Sequence, residues 1–340
     1  MSTDDLREPL ARVETGGSRT ESPRDRRAPV WRLRGLRTSL LFALLSVPAA
    51  WMGRVTATEP LTLDVLTVDA APRRSITLEF HPRVDKWLEA FQTTRREEFE
   101  HLLVRKQRFD EMIQSNLRLR GMPEELVYIP MIESEYSPYA VSRVFAVGLW
   151  QFMSPTAMQY GLRMDPFVDE RRDPVRATEA ALDYLGYLHN RFGNSWYLAA
   201  AAFNAGPGRL ERVLNRHASG REWNDGLFWD IVDYLPRETR EYIPKMIAVS
   251  RLARDTKVSD PPVTVTPYRY DNIFVPGYTS LQSVANALDA NAELIFALNP
   301  HLTQGVTPPG EMYPVRVPVG SGGAAVARLS GELPSRRTDD

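Results

Sequence analysis

One acidic residue stands out by its setting. In YIPMIESEYSP, residues 128–138, Glu133 follows Pro130, Met131 and Ile132. A carboxyl group among apolar neighbours is short of water, so its neutral form is favoured. A glutamic acid that keeps its proton near neutrality is what a general acid requires. Glu135 is two residues further on and faces another side of a helix, so the two are not a local acid–base pair. Taken alone, Glu133 could equally be a solvated surface residue, and Pro130 could simply mark a kink. Three more segments set polar groups in apolar runs. Gln151 is the amide in AVGLWQFM, residues 146–153. A buried amide needs hydrogen-bond partners, and a sugar can supply them. Asn204 precedes the Gly206-Pro207-Gly208 turn of AAFNAGPG, and Tyr242 lies in YLPRETREYIPK, residues 234–245. Each has a plain packing explanation as well, with Trp150 and Tyr242 in a core and Asn204 as a cap.

The flanking patterns predict the elements that hold these residues. Apolar spacing is helical from His81 to Leu119 through Val84, Trp87, Leu88, Phe91, Phe99, Leu102, Leu103, Phe109, Met112, Ile113 and Leu117. Gly121-Met122-Pro123 ends that region and opens another helix, with Glu124 and Glu125 near its positive end. Asp173-Pro174 reads as a cap followed by a first-turn proline, and Gly193 as the stop of the helix they begin. Four consecutive alanines, Ala199 to Ala202, allow close approach on every side, so the helix opening at Trp196 is expected to be central. A last helical stretch covers Glu238 to Leu252. After Asp260 the pattern changes to strand, helix (Ser280 to Leu288), helix (Ala292 to Leu298) and a final strand in YPVRVPV.

Composition removes several classes of function. The 340 residues hold 42 Lys+Arg against 43 Asp+Glu, a net charge of -1, which offers no basic footprint for nucleic acid. No cysteine is present, which excludes disulfides, thiolate zinc sites, cysteine nucleophiles and an N-terminal lipid-modified cysteine. The five histidines share no i, i+4 face, and neither common glycine-rich phosphate loop occurs. No metal and no cofactor is expected. Residues 1–37 are polar and Arg-rich; Thr38 to Gly53 are uncharged, with Arg34 and Arg37 before them and Arg54 after. This reads as a secretory leader ending near Val55-Thr56-Ala57, or as an uncleaved inner-membrane anchor. The expected order is 1–57 tail with leader or anchor, 58–81 linker, 82–255 helical domain, 256–270 linker, 271–320 small module and 321–340 disordered tail.

Taken together, Glu133-Ser134, Gly148–Met153, Ala201–Gly208 and residues 234–245, in this order, resemble the goose-type-lysozyme-like lytic transglycosylases of bacterial cell walls, most closely the membrane-bound D type. The likeness covers about residues 82–255. It implies a mainly α fold, with a lysozyme-like all-helical catalytic domain. It implies Glu133 as the single acid/base and Tyr242 as the group that orients it. Ser134, Gln151, Phe152, Met153 and Asn204 would form the sugar-binding side of the cleft, Ser134 by fixing its hydrogen bonding. The partner would be the glycan strands of peptidoglycan, in the periplasm, with formation of 1,6-anhydro ends. Trp150, Trp196, Trp223 and Trp229 could stack on sugars or pack a core. Two positions depart from the pattern: Phe145 stands where glycine is usual, and Phe203 where tyrosine is common. If the glycine takes a positive backbone dihedral, phenylalanine is strained there. The C-terminal strand–helix–helix–strand unit, with LNP after its second helix, resembles a LysM-type module, an α+β (βααβ) unit that binds peptidoglycan and would tether the enzyme to it. Three rival readings remain at this level: a hydrolase using a second carboxylate such as Glu135, Asp165 or Asp169, an inactive wall-binding scaffold, and a helical protein-interaction domain that does not bind the wall.

Overall fold

A computed structural model describes residues 75–254 and 265–330. The expected leader or anchor, most of both linkers and the last ten residues lie outside the described residues. The fold is mainly α. The helical part comprises α1 (Pro82–Gln92), α2 (Arg96–Leu119), α3 (Ile129–Ser134), α4 (Ser154–Gln159), α5 (Pro174–Arg191), α6 (Trp196–Ala205), α7 (Pro207–His217), α8 (Asp225–Ile231) and α9 (Arg237–Arg254). Short 3-10 turns at Glu124–Tyr128, Glu170–Arg172 and Val232–Tyr234 join some of them. The single helical region read from His81 to Leu119 is two helices. Thr93 ends the first, its hydroxyl donating to the Glu89 carbonyl at 2.7 Å. The Asp173 cap is present: Oδ1 accepts from the amides of Val175 (2.9 Å) and Arg176 (3.1 Å). Ala199 to Ala202 are fully buried, so α6 is the central helix that its alanines imply. It stops at Gly206, whose φ of +83° suits a residue without a side chain. Pro207 starts α7 at once, at the position where its missing N–H costs nothing.

The small unit is β1 (Asp271–Val275), α10 (Leu281–Leu288), α11 (Ala292–Leu298) and β2 (Tyr313–Val317), the order expected. The strands pair antiparallel, with Ile273 opposite Val315, and send Ile273, Val275, Val315 and Val317 into a core with Leu281, Val284 and Ile295. One expectation is corrected. The stretch after Gly320 is not all tail, because α12 (Gly322–Leu329) follows β2. Asp271 fixes its start, Oδ2 accepting from the amides of Gly320 (2.8 Å) and Gly322 (3.1 Å). That capping residue lies about fifty positions earlier, and a Gly-Gly opening carries no helix signal, so local pattern could not find it.

The two parts share residues across their seam. Val168 of the helical part is fully buried in the core of the small unit. Tyr268 and Leu298, from the other side of the seam, belong to the helical core. The small unit is therefore docked on its neighbour.

Candidate active site

Glu133 sits in the last turn of α3, a helix of six residues. Pro130 lies in its first turn, where proline is tolerated, so it starts the helix and does not kink it. Glu135 and Tyr136 both adopt left-handed φ, 54° and 58°, and turn the chain away immediately after the acid. The Tyr136 hydroxyl anchors that turn by donating to the Val127 carbonyl at 2.7 Å. Glu133 is partly buried. Withdrawal from water pushes its pKa up to about 7. The hydrogen bond from Tyr242 works against the rise, and the negative charge of Glu238 adds to it.

Tyr242, on α9, is buried and donates its hydroxyl to Glu133 Oε1 at 2.7 Å. That bond occupies one carboxyl oxygen and leaves Oε2 to carry the proton. Asn204 lies in the last turn of α6 and faces the start of α9. Its Nδ2 donates to Glu238 Oε1 at 2.9 Å, and its Oδ1 accepts from Thr239 Oγ1 at 2.7 Å. One amide N–H of Asn204 remains for a ligand. Gln151 has a left-handed φ of 49°, and its Nε2 donates to the carbonyls of Gly148 (2.8 Å) and Ala140 (3.3 Å). Its Oε1 is left as an acceptor for an N–H group. Met153 is 42% exposed at the start of α4.

Ser134 was expected to fix the site's hydrogen bonding, and the expected cleft position of Phe152 is corrected. Ser134 is buried, and its hydroxyl lies 2.8 Å from the Leu149 carbonyl and 3.1 Å from that of Pro130. It ties α3 to the loop of Gln151 and offers nothing to a ligand. Phe152 is only 3% exposed and packs against Phe203 with ring centroids 6.3 Å apart. It belongs to the core, because its neighbour Gln151 takes the outward position. Phe203 packs also against Trp150 and Tyr184. The tryptophans serve packing. Trp150 is fully buried and donates to Thr178 Oγ1 at 2.9 Å; Trp196 stacks on His189, Trp223 on Phe192 and Trp229 on His81.

The carboxylates suggested for a water-holding role are engaged elsewhere. Glu135 is exposed and paired with Arg105 at 2.8 Å. Asp165 takes Arg163 and the amides of Phe167 and Val168; Asp169 pairs with Arg171 at 2.8 Å. Sequence reasoning missed Glu238 and Thr239. Their signal was available, because Glu238 and Tyr242 are four apart in YLPRETREYIPK and share a helix face.

Phe145 has a φ of 63° and is 76% exposed, so the strain foreseen at this position is present. Glycine enters this region freely, whereas an L side chain costs about 1–2 kcal/mol, offset in part by the greater freedom glycine loses on folding. Phe145→Gly is therefore expected to stabilise the protein by about 1 kcal/mol. Chemical denaturation checks it, and a loss of stability would contradict the strain.

Comparison with known proteins gives matches to both parts of the chain. Residues 111–225 match the family described as Transglycosylase SLT domain, and residues 269–330 match the LysM-like domain of lytic transglycosylase MltD. The first match lies within the helical part and the second covers the small unit. Glu133, Gln151 and Asn204 fall inside the SLT match, while Glu238 and Tyr242 lie beyond its end. The LysM-like match reaches past α12 and so extends the boundary first read at residue 320. Membrane-bound lytic murein transglycosylase D of Escherichia coli K12 is 37% identical over 145 residues, 43% of this chain and 31% of that protein. The soluble lytic murein transglycosylase of Salmonella typhimurium is 35% identical over 122 residues, 34% of this chain and 18% of that protein. The chain thus spans under a third of the length of either. Among solved structures, the 70 kDa soluble lytic transglycosylase of Escherichia coli aligns over 52% of this chain and 34% of its own, at 23% identity and a TM-score of 0.36.

Proposed function

We propose that this chain cleaves the β-1,4 bond between N-acetylmuramic acid and N-acetylglucosamine in peptidoglycan, as a lytic transglycosylase. The observation that carries this reading is the Glu133 carboxyl, with a pKa near 7 and Tyr242 on one of its oxygens. A carboxylic acid poised there can both give and take a proton near neutral pH. Protonated Glu133 donates to the glycosidic oxygen as the bond to the muramic anomeric carbon breaks. The muramic 2-acetamido group stabilises the cationic centre. Glu133, now a carboxylate, removes the proton of the sugar's own 6-hydroxyl, and that oxygen closes on the anomeric carbon. The products are a 1,6-anhydromuramic end and a free 4-hydroxyl on the next sugar, with no water consumed. The nucleophile belongs to the reacting ring, so little positioning entropy is lost. Tyr242 holds the carboxyl in place throughout. Gln151 Oε1 and the spare N–H of Asn204 are suited to N-acetyl groups. The site is proposed to work in the periplasm. Among the described residues no helix is long and apolar enough to cross a membrane, and the uncharged 38–53 segment lies outside them.

Glu238 favours a second reading. It is a further carboxylate whose charge reaches Glu133, and a hydrolase could use it to hold water. Its exposure and its bond to Asn204 favour the transglycosylase instead. Purified sacculi treated with the protein, followed by mass spectrometry of the soluble products, separate the two. Anhydromuropeptides are expected, each lighter by one water than the hydrolysis product, and reducing ends would refute the proposal. Release is expected to decline as pH rises through about 7, because Glu133 then loses the proton it must donate.

A further inference from the structure

The LysM-like domain is locked to the SLT domain by polar groups buried at the seam. Arg316, on β2, sends Nη2 to both oxygens of Asp173, at 2.7 and 2.9 Å. Its Nη1 donates to the Tyr268 hydroxyl at 3.0 Å, and that hydroxyl donates to the Leu298 carbonyl at 2.6 Å. Asn299 holds the Arg316 backbone from both sides, at 2.9 and 2.7 Å. His301 lies 3.5 Å from Asp173, but burial pushes its pKa down to about 4. At neutral pH it is uncharged, and Arg316 is the cation that balances Asp173. Backbone contacts extend the lock: the Asp169 amide donates to the His301 carbonyl at 2.9 Å and the Thr303 amide to that of Phe167 at 3.0 Å. Residues 165–173 are thus gripped along their length.

The gripped segment in turn supports the loop that bears Gln151. Arg171 is held by Asp169 at 2.8 Å. Its Nη1 reaches the carbonyls of Phe145 (3.3 Å) and Phe152 (3.4 Å) and Ser154 Oγ (3.0 Å). The Arg171 carbonyl lies directly against Gly148, where a Cβ would come within 1.8 Å of it. A path of direct contacts therefore runs from β2 of the LysM-like domain to both ends of the 145–154 loop.

We propose that the LysM-like domain is a brace of the active site: Arg316 positions residues 165–173, and through Arg171 these position the loop that presents Gln151. A wall-binding module on a tether would act only through local substrate concentration, whereas a brace acts on the geometry of the cleft. Resting on the glycan-cleft reading above, Arg316 and Arg171 are positioning residues that act through Gln151.

The test removes the lock without leaving a buried charge alone, since truncating one partner of such a pair unfolds proteins for trivial reasons. The double variant Asp173→Asn/Arg316→Met keeps an N-cap residue and the arginine stem's volume. Hydrogen exchange is followed in the full chain. Amides of residues 145–152 are expected to exchange roughly ten-fold faster or more, alongside those of 165–173. KM for glycan strands is expected to rise by about the same factor, with the decline near pH 7 unmoved, because α3 and α9 create it. Faster exchange confined to 165–173, or unchanged exchange in both segments, would overturn the brace. Arg171→Lys, which keeps the charge beside Asp169 but loses the planar fork, is the second arm and serves alone if the double variant does not fold. It is expected to free residues 145–152 while leaving 165–169 protected, and unchanged exchange in 145–152 overturns the proposal. Exchange is read without substrate, so it decides the brace even if the protein releases nothing from sacculi.

Discussion

Glu133→Gln is expected to lower the release of soluble muropeptides by roughly a thousand-fold or more while making the protein more stable. The loss follows from the chemistry. Glutamine fills the same space and can still accept the Tyr242 hydrogen bond at the position of Oε1, but it has no proton to give and no charge with which to take one. General acid and base steps each contribute about 10²–10⁴-fold, and here one group performs both. The gain in stability follows from linkage. The native pKa of about 7 lies above the ordinary carboxyl value, so between roughly pH 4.5 and 7 the folded state binds more protons than the unfolded chain. Stability therefore falls as pH rises through that window. The cost is absent below it and complete above it, at about 3 kcal/mol for a shift of this size. A neutral amide removes it. Melting curves of both proteins at pH 5 and pH 8 check this, with the larger gain expected at pH 8. Equal muropeptide release by parent and variant would reject the catalytic role. A variant as unstable as the parent at pH 8 would reject the burial of the acid.

Gly148→Ala is expected to cost about 3 kcal/mol or more and to reduce activity by roughly a hundred-fold. Two penalties combine. At a φ of +84° an L side chain is strained, and its Cβ would lie 1.8 Å from the Arg171 carbonyl oxygen and 2.7 Å from its carbon. A peptide group cannot swing aside as a side-chain tip can, so one of the two segments must shift. Either shift moves Gln151, because the Gly148 carbonyl accepts both its backbone amide (3.2 Å) and its Nε2 (2.8 Å). Displacements of about 1 Å in a positioning group can cost about 10²-fold in rate. A fall in melting temperature of roughly 6–12 °C is the expected reading for a domain of this size. Near-parental melting would mean that the loop and residues 165–173 are not in the contact described.

Helices, caps and the acid itself were legible because their causes are local. The spacing of apolar residues, the Asp173-Pro174 start and the four alanines of α6 each act within a turn or two of chain. The apolar run before Glu133 likewise foretold a partly buried carboxyl, and the i, i+4 relation of Glu238 and Tyr242 was there to be used. Phe152 was misassigned, and the partner of Ser134 could not be named, for the opposite reason. Both flank residues that do face the site, and which of two neighbours points outward depends on what packs behind them. Ser134 turns to the Leu149 carbonyl fifteen residues away, and Phe152 turns to Phe203.

Asp173 marks the division most clearly. Its amino-acid type and the proline after it sufficed to foretell a helix cap, since the amides it accepts from belong to the next three residues. That the same carboxylate receives Arg316 from 143 positions away, and so ties the small unit to the helical part, had no local trace. Chain chemistry fixes what can be done with neighbours in sequence. Partners brought together by folding depend on how two apolar cores exclude water along a shared seam, and only the assembled protein reveals which polar groups are left there to satisfy one another.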